Sequence, residues 1–501
     1  MSEEKLARLK TIVAEISDLT AAAALLGWDQ QVNMPPGGTE GRGHQLATLQ
    51  TISHARLTAP ETGQLLDDLT PYAAQLDPDS DDARTIKVAR RQYDKQMKVP
   101  GEWIGAFAQA TTQAHQLWAQ ARGEDNFALF QPALQRVMDL RRAYADFFAP
   151  YEHVYDPLLD DFEPGLKTAD VKGIFNALRP QQVELLKTIT AQPQVDNSFL
   201  FQPFEEQKQW DFGVEVITKM GHDWQRSRQD KVAHPFTTQF GAGDVRITTR
   251  LLPEYIGTGL FGTMHEAGHA SYELGVDPRY DRTALAGGAS LAVHESQSRM
   301  WENLVGRSYP FWQYFYPRLQ EYFPSQLGNV SLEAFYKGIN KVQPTLIRVE
   351  ADEATYNLHI MLRLELEIAL MEGTVAVKDL PEAWNARFQE YLGITPPNNA
   401  KGVLQDVHWS SGYIGYFSTY ALGNLISAQL WERLNADIPD LSEQIRQGEF
   451  SNWLGWLRTH IHCYGSKYEP QELVARVTGT KIDPAPYMRY LTEKYRSIYG
   501  F

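Results

Sequence analysis

Two histidines four residues apart, His265 and His269, enclose Glu266 in the run His265-Glu266-Ala267-Gly268-His269. On a helix, positions i and i+4 share one face at roughly 6 Å, so both imidazoles can reach a single ion. A carboxylate beside such a pair is placed to serve as a base without binding the metal. A hydrolytic zinc site needs a third protein donor and one open coordination position. No third histidine follows in the spacing of the metzincins: Gly275 stands six places beyond His269, and Val276 to Tyr280 contain none. The next cluster is His294-Glu295-Ser296-Gln297, with Glu295 26 residues beyond His269. That separation leaves room for a turn and a second helix returning beside the first. Glu295 is the expected third ligand, giving a His-His-Glu set of hydrolytic type, with His294 as the competing donor.

Such side chains need rigid elements to aim them, and the periodicity supplies helices. Leu6, Leu9, Ile12, Val13, Ile16 and Leu19 recur at intervals of three and four among charged residues, which predicts an amphipathic helix. Further helices are expected from about Ser80 to Val99, from Trp103 to Ala121, from Phe130 to Phe148 and from Ile347 to about Met371, with Ile256 to Leu274 carrying the histidine pair. Only Val232 to Leu252 reads differently. Phe236, Thr238 and Phe240, then Val245, Ile247 and Thr249, alternate across Gly241-Ala242-Gly243, the pattern of a small antiparallel ribbon. The fold class is therefore mainly α with a minor β element.

Composition narrows the partners. With 47 basic and 62 acidic residues in 501, the formal charge of -15 opposes binding to phosphate backbones or anionic lipid. No apolar run approaches the roughly 18 residues of a spanning helix, and Met1 to Lys10 has no cationic leader; a cytoplasmic location is expected. Cys463 is the single cysteine, so no intrachain disulfide can form. His460, His462 and Cys463 gather soft donors, but alternate residues diverge on a helix and oppose on a strand, which disfavours a second metal. Asp160-Asp161 near Pro157 and Pro164 reads as a solvated loop, and Gly287-Gly288 as a turn.

Five further segments accompany the histidine motif: His234-Pro235-Phe236, Asp244-Val245-Arg246-Ile247-Thr248, His294-Glu295-Ser296-Gln297, Ile347-Arg348-Val349-Glu350-Ala351-Asp352, and Gly402-Val403-Leu404-Gln405-Asp406-Val407-His408-Trp409. As an ordered set they resemble the signatures of the carboxypeptidase Taq family of zinc metallocarboxypeptidases. The resemblance implies a helical molecule with a deep groove, related in architecture to oligopeptidases of the neurolysin and angiotensin-converting type. It also implies a homodimer and one peptidase domain over residues 1–501, in two helical lobes.

The expected chemistry is release of single C-terminal amino acids from peptides by water attack. Zinc would sit on His265, His269 and Glu295, with cobalt or manganese as substitutes set by availability. Glu266 would act as general base and then general acid. His408, Tyr413 and Tyr420 have offsets similar to the groove-lining histidine and tyrosines of the oligopeptidase relatives; His408 and Tyr420 are expected as catalytic donors and Tyr413 as a substrate contact. An arginine suits a fixed terminal carboxylate because its planar fork pairs bidentately. Arg348 is that choice, against an i,i+4 ion pair with Asp352, and Arg246 is second. The competing readings are an endo-acting oligopeptidase or dipeptidyl carboxypeptidase with the same zinc site, and an inert metal-containing peptide-binding scaffold.

Overall fold

The structure is a computed structural model that describes residues 2–501. Helix α1 (Ser2–Val32) buries Leu6, Leu9 and Ile12 from its apolar stripe and packs along α2 (Thr39–Leu57) as a hairpin. Helices Asp81–Lys98, Gly101–Gly123 and Phe127–Asp146 follow close to the expected bounds. Ser80 starts the first of them by accepting from the Ala83 amide at 3.3 Å. Among the described residues no helix is long and apolar enough to cross a membrane.

The ribbon is present as β2 (Thr237–Gln239) antiparallel to β3 (Val245–Thr249), with Thr238 opposite Arg246. It is part of a larger sheet. Strand β1 (Ser227–Lys231) lies parallel on the other edge of β3, giving the order β1-β3-β2. Ser-Arg-Gln-Asp-Lys is wholly polar, so no apolar alternation could reveal β1 in the sequence.

The helix that carries the histidine pair, α3 (Ile256–Gly275), lies against β3 on one side and against α4 (Leu291–Arg299) on another. Two glycines permit the close approach of α4 to its neighbours. A Cβ on Gly268 of α3 would fall 2.6 Å from the Ser298 Cα, and one on Gly423 would fall 2.6 Å from the Glu295 Cγ. Gly423 belongs to α6 (Ser418–Asp437), which packs along the far side of α4. Residues Met300–Val305 continue α4 as a π-helix.

The helix expected from Ile347 is shorter. Helix α5 (Glu353–Glu372) begins only after Asp352, whose carboxylate accepts from the Ala354 and Thr355 amides at 2.9 and 3.0 Å. This N-cap takes the first free helical donors and leaves Arg348–Glu350 as a separate 3-10 turn. Arg348 and Asp352 therefore do not share a helix, and the i,i+4 ion pair considered from sequence has no geometry to form.

Candidate active site

His265 and His269 project from adjacent turns of α3 with ring centroids 4.9 Å apart. Their Nε2 atoms lie 3.7 and 3.4 Å from the same Oε2 of Glu295 on α4. Among the described residues these three form the one group of three or more His, Cys, Asp and Glu side chains able to hold an ion, their donor atoms all within 4.8 Å of one another.

Each donor's remaining polar atom is occupied elsewhere. The Nδ1 of His265 is 3.0 Å from Oε2 of Glu302. The Nδ1 of His269 shares a 2.6 Å hydrogen bond with Nδ1 of His294, whose Nε2 meets Oε1 of Glu273 at 2.6 Å. The Nε of Arg299 donates to Oε1 of Glu295 at 2.6 Å. The outer contacts thus leave two imidazole nitrogens and one carboxylate oxygen converging, a donor set able to hold a metal ion, with oriented outer partners. Burial opposes charge on His265, but the Glu295 and Glu302 carboxylates outweigh it and raise its pKa. Burial brings His269, which faces two other imidazoles, down to about 3. Burial also works against the Glu295 charge, yet Arg299 and the two histidines hold its carboxyl well below the usual range.

Glu266 is buried beside these groups. Its Oε2 accepts from the Thr237 hydroxyl of β2 at 2.6 Å, and desolvation raises its pKa. A cavity of about 350 Å³ opens over the cluster, walled by Phe236 and Thr237 on the sheet side and by Tyr416, Thr419 and Tyr420 on the other.

Tyr420 lies in this wall, and His408 sits behind it, the His408 Nε2 3.4 Å from the phenol oxygen. Burial lowers the His408 pKa to about 4, so the ring is neutral near pH 7. Tyr413 is 51% exposed at the rim, its ring 5.9 Å from that of Tyr416; Tyr416, not Tyr413, lines the cavity. The loop bearing these residues is anchored by Glu367, which accepts from Trp409 Nε1 at 2.7 Å and the Gly415 amide at 2.9 Å.

Arg348 is buried, with its guanidinium carbon 5.0 Å from the Tyr420 ring centroid. Its Nε and Nη2 donate to Oδ1 of Asp406 at 3.0 and 2.9 Å. Arg363 donates to the other oxygen, Oδ2, at 2.7 Å. Two buried guanidinium groups share one carboxylate, which leaves the cluster with one positive charge in excess. Arg246 is differently placed: Asp244 accepts from it at 2.9 and 2.8 Å, and Trp28 and Phe240 cover its faces at 4.3 and 4.9 Å.

The soft-donor trio disperses. His460 bonds the Trp456 carbonyl, His462 bonds Gln297, and Cys463 donates to the Thr459 carbonyl. Asp160 and Asp161 are ion-paired, both with Lys95. Sequence reasoning missed Thr237, Glu273, Arg299, Glu302, Tyr356 and Tyr416. Arg299 lies one helical turn past Glu295, and Tyr416 stands four residues before Tyr420 on the loop that leads into its helix. Glu302 had no local signal.

Known proteins resemble this chain in sequence and in shape. The profile of the carboxypeptidase Taq (M32) metallopeptidase family matches residues 8–495. Thermostable carboxypeptidase 1 of Thermus thermophilus is 42% identical over 496 residues, covering 97% of each chain. Carboxypeptidase 1 of Bacillus subtilis is 36% identical over 489 residues with the same 97% coverage. The crystal structure of the M32 carboxypeptidase from Deinococcus radiodurans superposes with a TM-score of 0.97 at 38% identity, over 99% of this chain and 100% of that one. A match across nearly the whole length, at these identities, makes the assignment: the chain belongs to the carboxypeptidase Taq (M32) family of metallopeptidases and is a metallocarboxypeptidase.

Proposed function

We propose that this metallocarboxypeptidase uses zinc, held by His265, His269 and Glu295, to release single amino acids from peptides with a free C-terminus. The observation that carries the reading is the convergence of both free Nε2 atoms on Oε2 of Glu295, at 3.7 and 3.4 Å. The nitrogen-rich donor set suits zinc; cobalt has the same preferences and manganese suits it less.

Bound at this position, a divalent ion supplies Lewis-acid chemistry that acidifies water and polarises the scissile carbonyl. The remaining steps belong to side chains. Glu266 takes a proton from the attacking water as its oxygen bonds to the carbonyl carbon. It returns that proton to the amine nitrogen as the C–N bond breaks. Thr237 holds Oε2 of Glu266, which fixes the carboxylate while Oε1 handles the proton. Tyr420, set by His408, donates to the oxyanion that develops on the carbonyl oxygen. Arg348 pairs with the terminal carboxylate, which supplies the second anion for the Arg348-Arg363 pair. Tyr413, exposed at the rim, meets residues further toward the peptide's N-terminus.

Endo-cleavage is disfavoured because the Arg348-Arg363 pair carries one positive charge more than Asp406 offsets, and an internal peptide segment brings no carboxylate to it. An inert scaffold would not need Glu266 between the ligands. The homodimer, the single peptidase domain over residues 1–501 and the cytoplasmic location go with the same reading; sedimentation, limited proteolysis and cell fractionation test them. The chemistry is tested by Glu266→Gln, which should retain zinc at one equivalent and lower kcat by about 10²–10⁴-fold. Activity within threefold of wild type would overturn Glu266 as the base. Amidation of a peptide's C-terminus should abolish its hydrolysis.

A further inference from the structure

The anchoring arginine and the metal ligand are joined by a single side chain. Tyr356, in the first turn of α5, is buried. Its hydroxyl accepts from Nη1 of Arg348 at 3.0 Å. Its ring face carries the Arg299 guanidinium, 4.4 Å from the centroid. Arg299 in turn donates to Oε1 of Glu295 at 2.6 Å and to Glu302 at 3.2 Å, and Glu302 is the partner of His265. The rings of Tyr356 and Tyr420 also meet edge to face, with centroids 6.2 Å apart and planes at 87°.

Two arginines, Arg299 serving the metal ligands and the buried Arg348 serving the carboxylate, thus approach the same ring. Neither arginine touches the other's carboxylate: Arg348 bonds Asp406, and Arg299 bonds Glu295 and Glu302. A stiff aromatic ring with only two side-chain torsions is a suitable spacer between such groups. The capping of α5 by Asp352 fixes where that ring stands.

We infer that Tyr356 is a positioning residue that sets the carboxylate-binding guanidinium of Arg348 in register with the metal ligand Glu295. It thereby fixes the distance from the scissile bond to the chain terminus at one residue. The inference rests on the reading of Arg348 as the carboxylate anchor, and goes beyond it by assigning what holds that anchor at its distance. The hydroxyl and the ring have separable duties: the hydroxyl orients Arg348, and the ring supports Arg299.

The experiment uses the zinc-loaded full chain and three variants, Tyr356→Phe, Tyr356→Leu and Arg348→Ala. Two readouts are taken: inhibition constants for an N-acylated dipeptide, used as a competing substrate against a chromogenic peptide, and for its C-terminal amide, and zinc affinity by chelator competition. Loss of one hydrogen bond from a charged donor corresponds to roughly 10- to 150-fold in binding. Tyr356→Phe should raise the inhibition constant of the free acid by about that factor, leave the amide unchanged, and leave zinc affinity unchanged. Tyr356→Leu, which removes the ring, should in addition weaken zinc about tenfold.

The proposal is overturned if Tyr356→Phe leaves free-acid inhibition within twofold of wild type while Arg348→Ala weakens it tenfold or more. If Arg348→Ala also leaves the acid unaffected, the carboxylate reading itself falls and this inference falls with it. Tyr356→Phe keeps the aromatic volume, so its result stands even if Tyr356→Leu does not fold.

Discussion

The packing of α6 against the ligand helix allows a test in which two physical effects of opposite sign compete. Replacing Gly423 by alanine should stabilise an isolated helix by about 0.5–1 kcal/mol, because glycine loses more backbone entropy on folding. In this site the new Cβ would stand 2.6 Å from Cγ and 2.7 Å from Cβ of Glu295, and 3.2 Å from its carbonyl carbon. Ordinary contact begins near 3.4 Å, so Glu295 must yield by about 0.8 Å. The obstacle includes backbone of a buried helix, which cannot swing aside as a side-chain tip would. Overpacking of this kind costs about 1–3 kcal/mol, which exceeds the helix-propensity gain.

Movement of the third ligand adds a specific consequence, since disturbance of a metal site's supporting structure typically costs about 10–100-fold in affinity. Gly423→Ala should therefore weaken zinc by that factor, measured by chelator competition, and lower the melting temperature of the metal-free protein. Gly455→Ala is the control: it lies within the helix Ser451–His460, and a Cβ there meets nothing within 4 Å. It should raise stability slightly and leave zinc affinity unchanged. Wild-type zinc affinity in Gly423→Ala, with Gly455→Ala behaving alike, would refute the argument that α6 holds Glu295 in place.

Removing the imidazole nitrogens behind His269, as in His294→Phe, should weaken zinc about 10–100-fold with a smaller effect on peptide binding, read by chelator competition and by KM. Thr237→Val should lower kcat several-fold at unchanged zinc content, because Glu266 loses the hydroxyl that fixes its Oε2. Stability should also depend on Glu163, which accepts from the Ala292 amide at the start of α4 and is pushed by burial up to about 8 from an ordinary value of 4.5. Between those pH values the folded protein keeps a proton that the unfolded chain has lost, so stability falls as pH rises through that window. Urea midpoints at pH 5 and pH 8 should fall less in Glu163→Gln than in wild type, and an equal fall would contradict the assignment.

The parts of this molecule that sequence made legible are those governed by local spacing. The i,i+4 pair His265 and His269 needs only a helix to share a face, and the apolar alternation around Val245 and Ile247 needs only a strand. Glu295 could be reached because the chemistry required a third donor and few carboxylates lay within a helix-turn-helix distance. The start of α5 was misplaced because the periodicity of Ile347 to Met371 did not weigh the Asp352 carboxylate, which captures the first helical amides. Tyr356 and Glu302 were missed for another reason. Their roles come from contacts with Arg348, Arg299 and His265, which arise only when three separate segments pack together. Tyr413 and Tyr416 show the same limit on a small scale: both are tyrosines on one loop, and the turn geometry decides which of them lines the cavity.

The central claim is that two imidazoles and one distant carboxylate hold the catalytic ion. Anomalous diffraction at the zinc edge from crystals of the metal-loaded protein tests it most directly. One zinc peak is expected, bonded to Nε2 of His265, Nε2 of His269 and a carboxylate oxygen of Glu295, at roughly 2.0–2.2 Å each. A peak centred on other residues, or one bound by the two histidines with Glu295 turned away toward Arg299 alone, would contradict it.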